Sequence, residues 1–309
     1  MGIEDFDRKS VSRRQLLAWV AGGVGALVVA GVAGFELVEH DVLPGKYVLD
    51  QLDGACSLAV PVLSFGSLGP TSSGRFYSKA RKRSVGYTIA YPPHARLGEE
   101  LPLIVMLHGY GGDHNHALFA MTPAQAVALK VDGKDLPPAA IVTVDGGNGY
   151  WNPHPGDDPM SMVVDELIPM CQRRGLGRLP KKIAMMGISM GAYGALAICE
   201  RNPGLIAAVA AISPAIWTSY AQANAANAGA FPSAAAFTAG DVIAHVAALE
   251  GIPVRIASGL DDPFLSGVRE FIKVLPEGET VVVARGCHTE AFFLEQEPPS
   301  LDFLTRHLA

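Results

Sequence analysis

From residue 85 onward, short unbroken apolar runs alternate with stretches of helical spacing. Leu103-Ile104-Val105-Met106-Leu107 contains no polar position, as a strand buried on both faces requires. Val85–Tyr91, Ala139–Val144, Lys182–Met186, Val209–Ile212, Val254–Ala257 and Thr280–Ala284 read as further strands, the first stopped by Pro92-Pro93. Helical patterns run from about Ser161 to Arg173 and from about Gly191 to Arg201. Strands alternating with helices predict an α/β fold with a mostly parallel central sheet and helices on both faces. Residues 217–248 are rich in Ala and Asn and weakly patterned, and are expected to form a small lid rather than a long surface excursion. No internal repeat is visible.

Ahead of the sheet, residues 47–79 are rich in Gly, Ser and Pro and read as loops with short strands; Arg81 to Arg83 read as a solvated basic turn. Further upstream, Arg8, Lys9, Arg13 and Arg14 precede Leu16–Phe35, a run of 20 residues without a charge. A basic region followed by an apolar one describes an export signal. Ser12-Arg13-Arg14-Gln15-Leu16-Leu17 resembles the twin-arginine form. At ~1.5 Å per residue the run spans about 30 Å, enough to cross a bilayer, so an uncleaved segment would tether the chain to the cytoplasmic membrane. The expected organisation is a signal or anchor at 1–40, a loop-rich segment at 41–80 and a catalytic domain at 81–309, with the protein exported to the cell envelope or secreted.

The net charge of −6, with no basic block beyond the N-terminus, argues against a nucleic-acid partner. The four cysteines, Cys56, Cys171, Cys199 and Cys287, show no C-x-x-C spacing, so a structural zinc site is not expected. Export permits disulfides, with three pairings open. Asp53, three residues before Cys56, makes that cysteine a poor lipid anchor.

Gly187-Ile188-Ser189-Met190-Gly191 fits G-x-S-x-G. It directly follows a predicted strand and precedes a predicted helix, the setting in which a serine becomes an exposed nucleophile at a tight turn. A serine hydroxyl needs a base, and the base an acid to orient it. After Ser189, His288 falls on a loop past a strand, whereas His245 and His307 lie in helical patterns. The acid is Asp262 or its neighbour Asp261, with Asp262 preferred and Asp261 a turn former. Oxyanion donors are expected from the Met190 N–H and from the loop Leu107–Gly112, through Tyr110 or alternatively Gly109. His108 is expected to line the site or to support this loop by hydrogen bonding. His108, Asp113, His114 and His116 could suggest a metal cluster, but their spacing is irregular, and no metal or cofactor is expected. Trp151, in the loop Asp145–Asn152, is placed either against the substrate, stacking on a sugar or acyl chain, or in the core. Asp157 and Asp158 read as a loop with a helix cap. Cys287 reads as packing or half of a disulfide.

Taken together, LHGYGG, GISMGAYG, GLDDPF and GCHTEAFF resemble the esterase D group of the α/β-hydrolases, the section of that superfamily that also holds the mycolyltransferases. The resemblance runs from about Arg75 to the C-terminus. It implies the α/β-hydrolase fold and a serine carboxylesterase, working without metal or cofactor on a small-molecule or lipid or sugar ester. It also supports Asp262, since these esterases place the acid immediately before a Pro-Phe or Gln-Phe pair, and it implies an aromatic wall at Phe292-Phe293. The export signal departs from the cytosolic members. Two other readings stand beside hydrolysis: an acyltransferase of mycolyltransferase type with a sugar acceptor, and a non-catalytic carbohydrate-binding envelope protein of the same fold.

Overall fold

The structure is a computed structural model that describes residue 56 and residues 58–96, 98–118, 121–178, 183–276 and 279–309. The export segment at 1–40 lies outside the described residues, as do residues 41–55 and 57 of the loop-rich segment. Among the described residues no helix is long and apolar enough to cross a membrane.

Eleven strands form two sheets among these residues. β1 (Ser64–Phe65), β5 (Leu129–Val131) and β6 (Lys134–Asp135) make a small antiparallel sheet. The main sheet contains β2 (Thr71–Ser78), β3 (Arg83–Ala90), β4 (Leu103–Leu107), β7 (Ala140–Val144), β8 (Ile183–Ile188), β9 (Ala208–Ile212), β10 (Val254–Gly259) and β11 (Thr280–Ala284). Its order is β11-β10-β9-β8-β4-β7-β3-β2. From β7 to β11 every pairing is parallel, and β3 and β2 extend the other edge antiparallel.

The apolar runs explain the centre. Every residue of β4, β7, β8, β9 and β10 is buried, because helices cover both faces. Successive residues serve opposite cores. Leu103, Val105, Leu107 and Met185 join one with the helix Met190–Arg201, while Ile104, Met106, Met186 and Ile188 join the other with Phe292 and Leu301 of the helix Glu290–Leu308. The helix expected at Ser161–Arg173 is built as Pro159–Ser161, a π-helical stretch Met162–Leu167 and Ile168–Arg173, with Asp158 capping its start through the Ser161 N–H at 2.9 Å.

Two expectations are corrected here. β2 is an eight-residue strand paired with β3 across the boundary expected at 81, so no division falls there. Arg81 is no solvated turn residue. Its guanidinium is buried, bonds both carboxylate oxygens of Asp157 at 2.6 and 3.0 Å, and donates to the Asp145 carbonyl at 2.6 Å. Burying that charge is tolerable because it is paired and each of its three nitrogens makes a hydrogen bond.

Candidate active site

At the carboxyl end of β8 the chain reverses through Ser189 into the helix Met190–Arg201. Ser189 holds φ 58° and ψ −120°, a conformation sparsely populated by residues with a side chain. Three backbone bonds hold it there. Its N–H donates to the Ile212 carbonyl at 2.9 Å, and its carbonyl accepts the Tyr193 and Ala215 N–H groups, each at 3.1 Å. A Cβ on Gly187 would lie 2.2 Å from the Gly191 carbonyl group, and one on Gly191 would lie 2.0 Å from the Leu107 oxygen. The glycines of the motif are therefore a steric requirement of the turn. The Met190 N–H stands in the first turn of the helix, where N–H groups lack an intrahelical carbonyl.

Ser189, His288 and Asp262 come together from three separate loops. His288 Nε2 lies 2.8 Å from Ser189 Oγ, and His288 Nδ1 lies 2.9 Å from Asp262 Oδ2. The other oxygen of Asp262 accepts the Phe264 N–H at 2.9 Å, which fixes the carboxylate in a fully buried position. With Asp262 accepting at Nδ1, Nε2 is left to receive a proton from the serine. The imidazole is 18% exposed and flanked by the rings of Phe264 and Phe293, each with its centroid 5.1 Å away in an edge-on arrangement. Phe293 thus stands at the site, whereas Phe292 is buried in the core. The Trp217 ring packs edge-on against Phe264 at 4.8 Å and so opens the segment 217–248 beside this aromatic layer. That segment folds as short helices, and its Phe231 packs on Tyr150 and Tyr193.

The loop after β4 is the one from which a second oxyanion donor is expected. The Gly111 N–H donates to Asn148 Oδ1 at 2.8 Å and the Gly112 N–H to the Gly109 carbonyl at 3.1 Å. The Gly109 and Tyr110 N–H groups have no such partner among the described residues, and the Tyr110 side chain is 61% exposed. Gly109, Tyr110, Gly111, Gly112, His116 and Glu290 line a cavity of about 270 Å³ beside this loop.

Two residues placed at the substrate are corrected. His108 is fully buried: its Nε2 accepts the Gly146 N–H at 2.9 Å, so its Nδ1 carries the proton and donates to the Gly109 carbonyl at 2.7 Å. Burial pushes its pKa down, which keeps the acceptor nitrogen neutral. Trp151 is also 0% exposed and donates its indole N–H to the His108 carbonyl at 3.2 Å. Its ring fills a slot where a Cβ on Gly146 would come within 2.2 Å and one on Gly194 within 2.6 Å. The loop 145–152, expected to line the substrate, instead props up the loop 108–112 through Gly146, Asn148 and Trp151. His114 bonds Thr88 at 2.9 Å and His116 bonds Asp113 at 2.9 Å, so the three histidines turn to separate partners.

Sequence reasoning left the cysteine pairing open. The structure joins Cys56 to Cys287, immediately before His288, and leaves Cys171 and Cys199 as buried thiols. Burial raises the Cys171 pKa to about 12, which removes it as a nucleophile.

A serine at a strand–turn–helix reversal, bonded to a histidine that meets a buried aspartate at the carboxyl ends of a largely parallel sheet, is the arrangement of the α/β-hydrolase fold. Three solved structures share this fold. A ferulic acid esterase superposes with a TM-score of 0.61 at 18% identity, over 79% of this chain and 100% of its own. An S-formylglutathione hydrolase from Agrobacterium tumefaciens gives 0.60 at 17% identity, over 82% and 100%. FphF, a fluorophosphonate-binding serine hydrolase from Staphylococcus aureus, gives 0.61 at 14%, over 77% and 99%. No curated protein matches the sequence significantly. The family model described as "Putative esterase" matches residues 78–273, and the chain belongs to that esterase family.

Proposed function

We propose that the chain is an exported serine carboxylesterase that works through an acyl-enzyme. The observation that carries this reading is the unbroken relay from Asp262 through His288 to Ser189, within 2.9 Å at each step, in a member of the esterase family. Ser189 Oγ attacks the ester carbonyl carbon while His288 Nε2 takes its proton, and buried Asp262 stabilises the imidazolium. The charge that develops on the carbonyl oxygen is met by the Met190 and Tyr110 N–H groups. As the tetrahedral intermediate collapses, the C–O bond to the alcohol breaks and His288 returns the proton to the departing oxygen. Water deprotonated by the same imidazole then attacks the acyl-enzyme and frees the carboxylic acid and Ser189.

Substrate reaches this centre over the Tyr110 loop, and the segment 217–248, entering through Trp217, acts as a small lid on the aromatic side. Export rests on the N-terminal pattern Arg13-Arg14 followed by Leu16–Phe35, and the Cys56–Cys287 bond suits an oxidising destination.

Hydrolysis of p-nitrophenyl esters from acetate to palmitate tests the chemistry. Turnover with a preferred chain length, lost by about 10⁴-fold or more in Ser189→Ala, is expected. A folded protein that turns over no ester overturns the reading. For export, a reporter fused to residues 1–40 should cross the membrane and should fail to do so once Arg13 and Arg14 are both changed to Lys.

A further inference from the structure

β11 is an edge strand with no buried residue, and the loop that follows it carries His288. Among the described residues, backbone bonds tie that loop to the loop after β10. Its Gly286 carbonyl accepts the Asp261 N–H at 2.9 Å, and the Leu260 N–H reaches the Ala284 carbonyl at 2.8 Å. Gly286 meets Gly259 so closely that a Cβ on Gly259 would fall 2.1 Å from the Gly286 oxygen. The next residue, Cys287, is fully buried and covalently bound to Cys56, with the two Cα atoms 5.2 Å apart and a sequence separation of 231. Leu58, two residues past Cys56, lies 3.1 Å from where a Gly286 Cβ would stand and packs on the core that holds Phe292. The stretch at Cys56 and Leu58 therefore clamps the loop from outside, one residue before the imidazole.

From this geometry we infer that the Cys56–Cys287 disulfide is a positioning element for His288, so that ester turnover by this chain depends on the oxidation state of the pair. The inference rests on the esterase reading. His288 must hold 2.8 Å to Ser189 and 2.9 Å to Asp262 at once, and misplacement of a reacting group by ~1 Å costs about 10²-fold in rate. Reduction by a dithiol such as dithiothreitol breaks the S–S bond. Two electrons and two protons pass to Cys56 and Cys287 as thiols, and the dithiol closes to its own disulfide. The bond persists only under oxidising conditions, which would keep the enzyme idle in a reducing cytoplasm and set it working after export.

The test compares the full-length oxidised chain with the same chain reduced by dithiothreitol and with Cys56→Ser, which leaves the Cys287 sulfur in place. Thiol titration verifies each state, and thermal melts set an assay temperature at which all three are folded. The readouts are kcat and KM separately on a p-nitrophenyl ester, and the downfield proton resonance of the imidazole N–H shared with Asp262. Loss of the bond should lower kcat by about 10- to 100-fold with KM within about twofold. The resonance should broaden or vanish, and reoxidation should restore both in the reduced wild type. Wild-type kcat and an unchanged resonance in folded, bond-free protein would overturn the inference, leaving the bond a stabiliser only. Loss of the whole fold on reduction at every temperature would overturn it too, since the bond would then hold the domain rather than the loop. If the oxidised wild type hydrolyses no ester, the esterase reading fails by itself, and the resonance still decides whether the bond positions His288.

Discussion

β8, which delivers Ser189, is paired on both sides by β4 and β9 and is buried throughout. β11, which delivers His288, pairs among the described residues with β10 alone and buries none of its five residues. Ser189 is held by its immediate surroundings: two glycines, three backbone bonds and a strand on either side. His288 meets partners remote in the chain, a carboxylate from the β10 loop and the rings of Phe264 and Phe293, and the residue before it is bonded to Cys56. Damage at the centre should therefore appear first as lost stability, and damage at the edge first as lost rate.

Asp262→Asn is the strongest test of the edge. It removes the acceptor that orients the imidazole while keeping the volume of the side chain, so kcat/KM should fall by about 10⁴-fold with little change in the melt. A large loss of stability instead would show that the edge loops carry the fold. Gly191→Ala tests the centre. Its Cβ would press on the Leu107 carbonyl oxygen of β4, a backbone atom that cannot move aside, so denaturant titration should show a loss of about 3 kcal/mol or more. Gly286→Ala, at the edge, meets the buried Phe292 ring at 2.4 Å, a side chain rather than backbone, and should cost about 1–3 kcal/mol.

Glu200 gives the central side a pH liability. It lies on the helix that starts at Ser189, and burial raises its pKa to about 9, against the nearby Arg201, which lowers it. The folded state therefore binds a proton that the unfolded state has released above its ordinary range near 4.5. Stability falls with rising pH between those limits by up to about 1.4 kcal/mol per pH unit. Glu200→Gln should flatten that slope in melts taken from pH ~5 to ~9. The smallest effect is expected from Asn148→Ala, which frees the Gly111 N–H from its side-chain acceptor. About 1 kcal/mol, roughly fivefold in kcat, should be lost with KM nearly unchanged.

The same contrast governs what could be read from the sequence. The central strands were legible because burial on both faces demands unbroken apolar runs, and Leu103–Leu107 is one. The elbow was legible because its motif lies directly between an apolar strand run and a helical pattern, although the atom that dictates Gly191 is the remote Leu107 oxygen. β2 escaped notice because Thr71-Ser72-Ser73-Gly74 reads as loop; it becomes a strand by pairing with β3, where Ser73 and Thr88 share a side-chain hydrogen bond at 2.9 Å. β1 and β6, of two residues each, leave no periodicity at all. The partner of Cys287 lies 231 residues away, a pairing that no spacing announces. Trp151 and Arg81 misled for one reason: what buries each is a residue remote in the chain, Gly194 for the indole and Asp157 for the guanidinium.

Around Trp151 the fit has a consequence for how such a sequence can drift over time. The indole occupies the room that side chains at 146 and 194 would need, and residues 150 and 151 both hold positive φ, at 53° and 57°. A single change at either glycine collides with the ring, and a single shrinkage of the ring opens a void. Variation here must come as matched sets, a smaller residue at 151 together with larger ones at 146 or 194. Aligned sequences of close relatives should show these three columns changing in concert, and the columns that line the exposed Tyr110 loop changing independently of them.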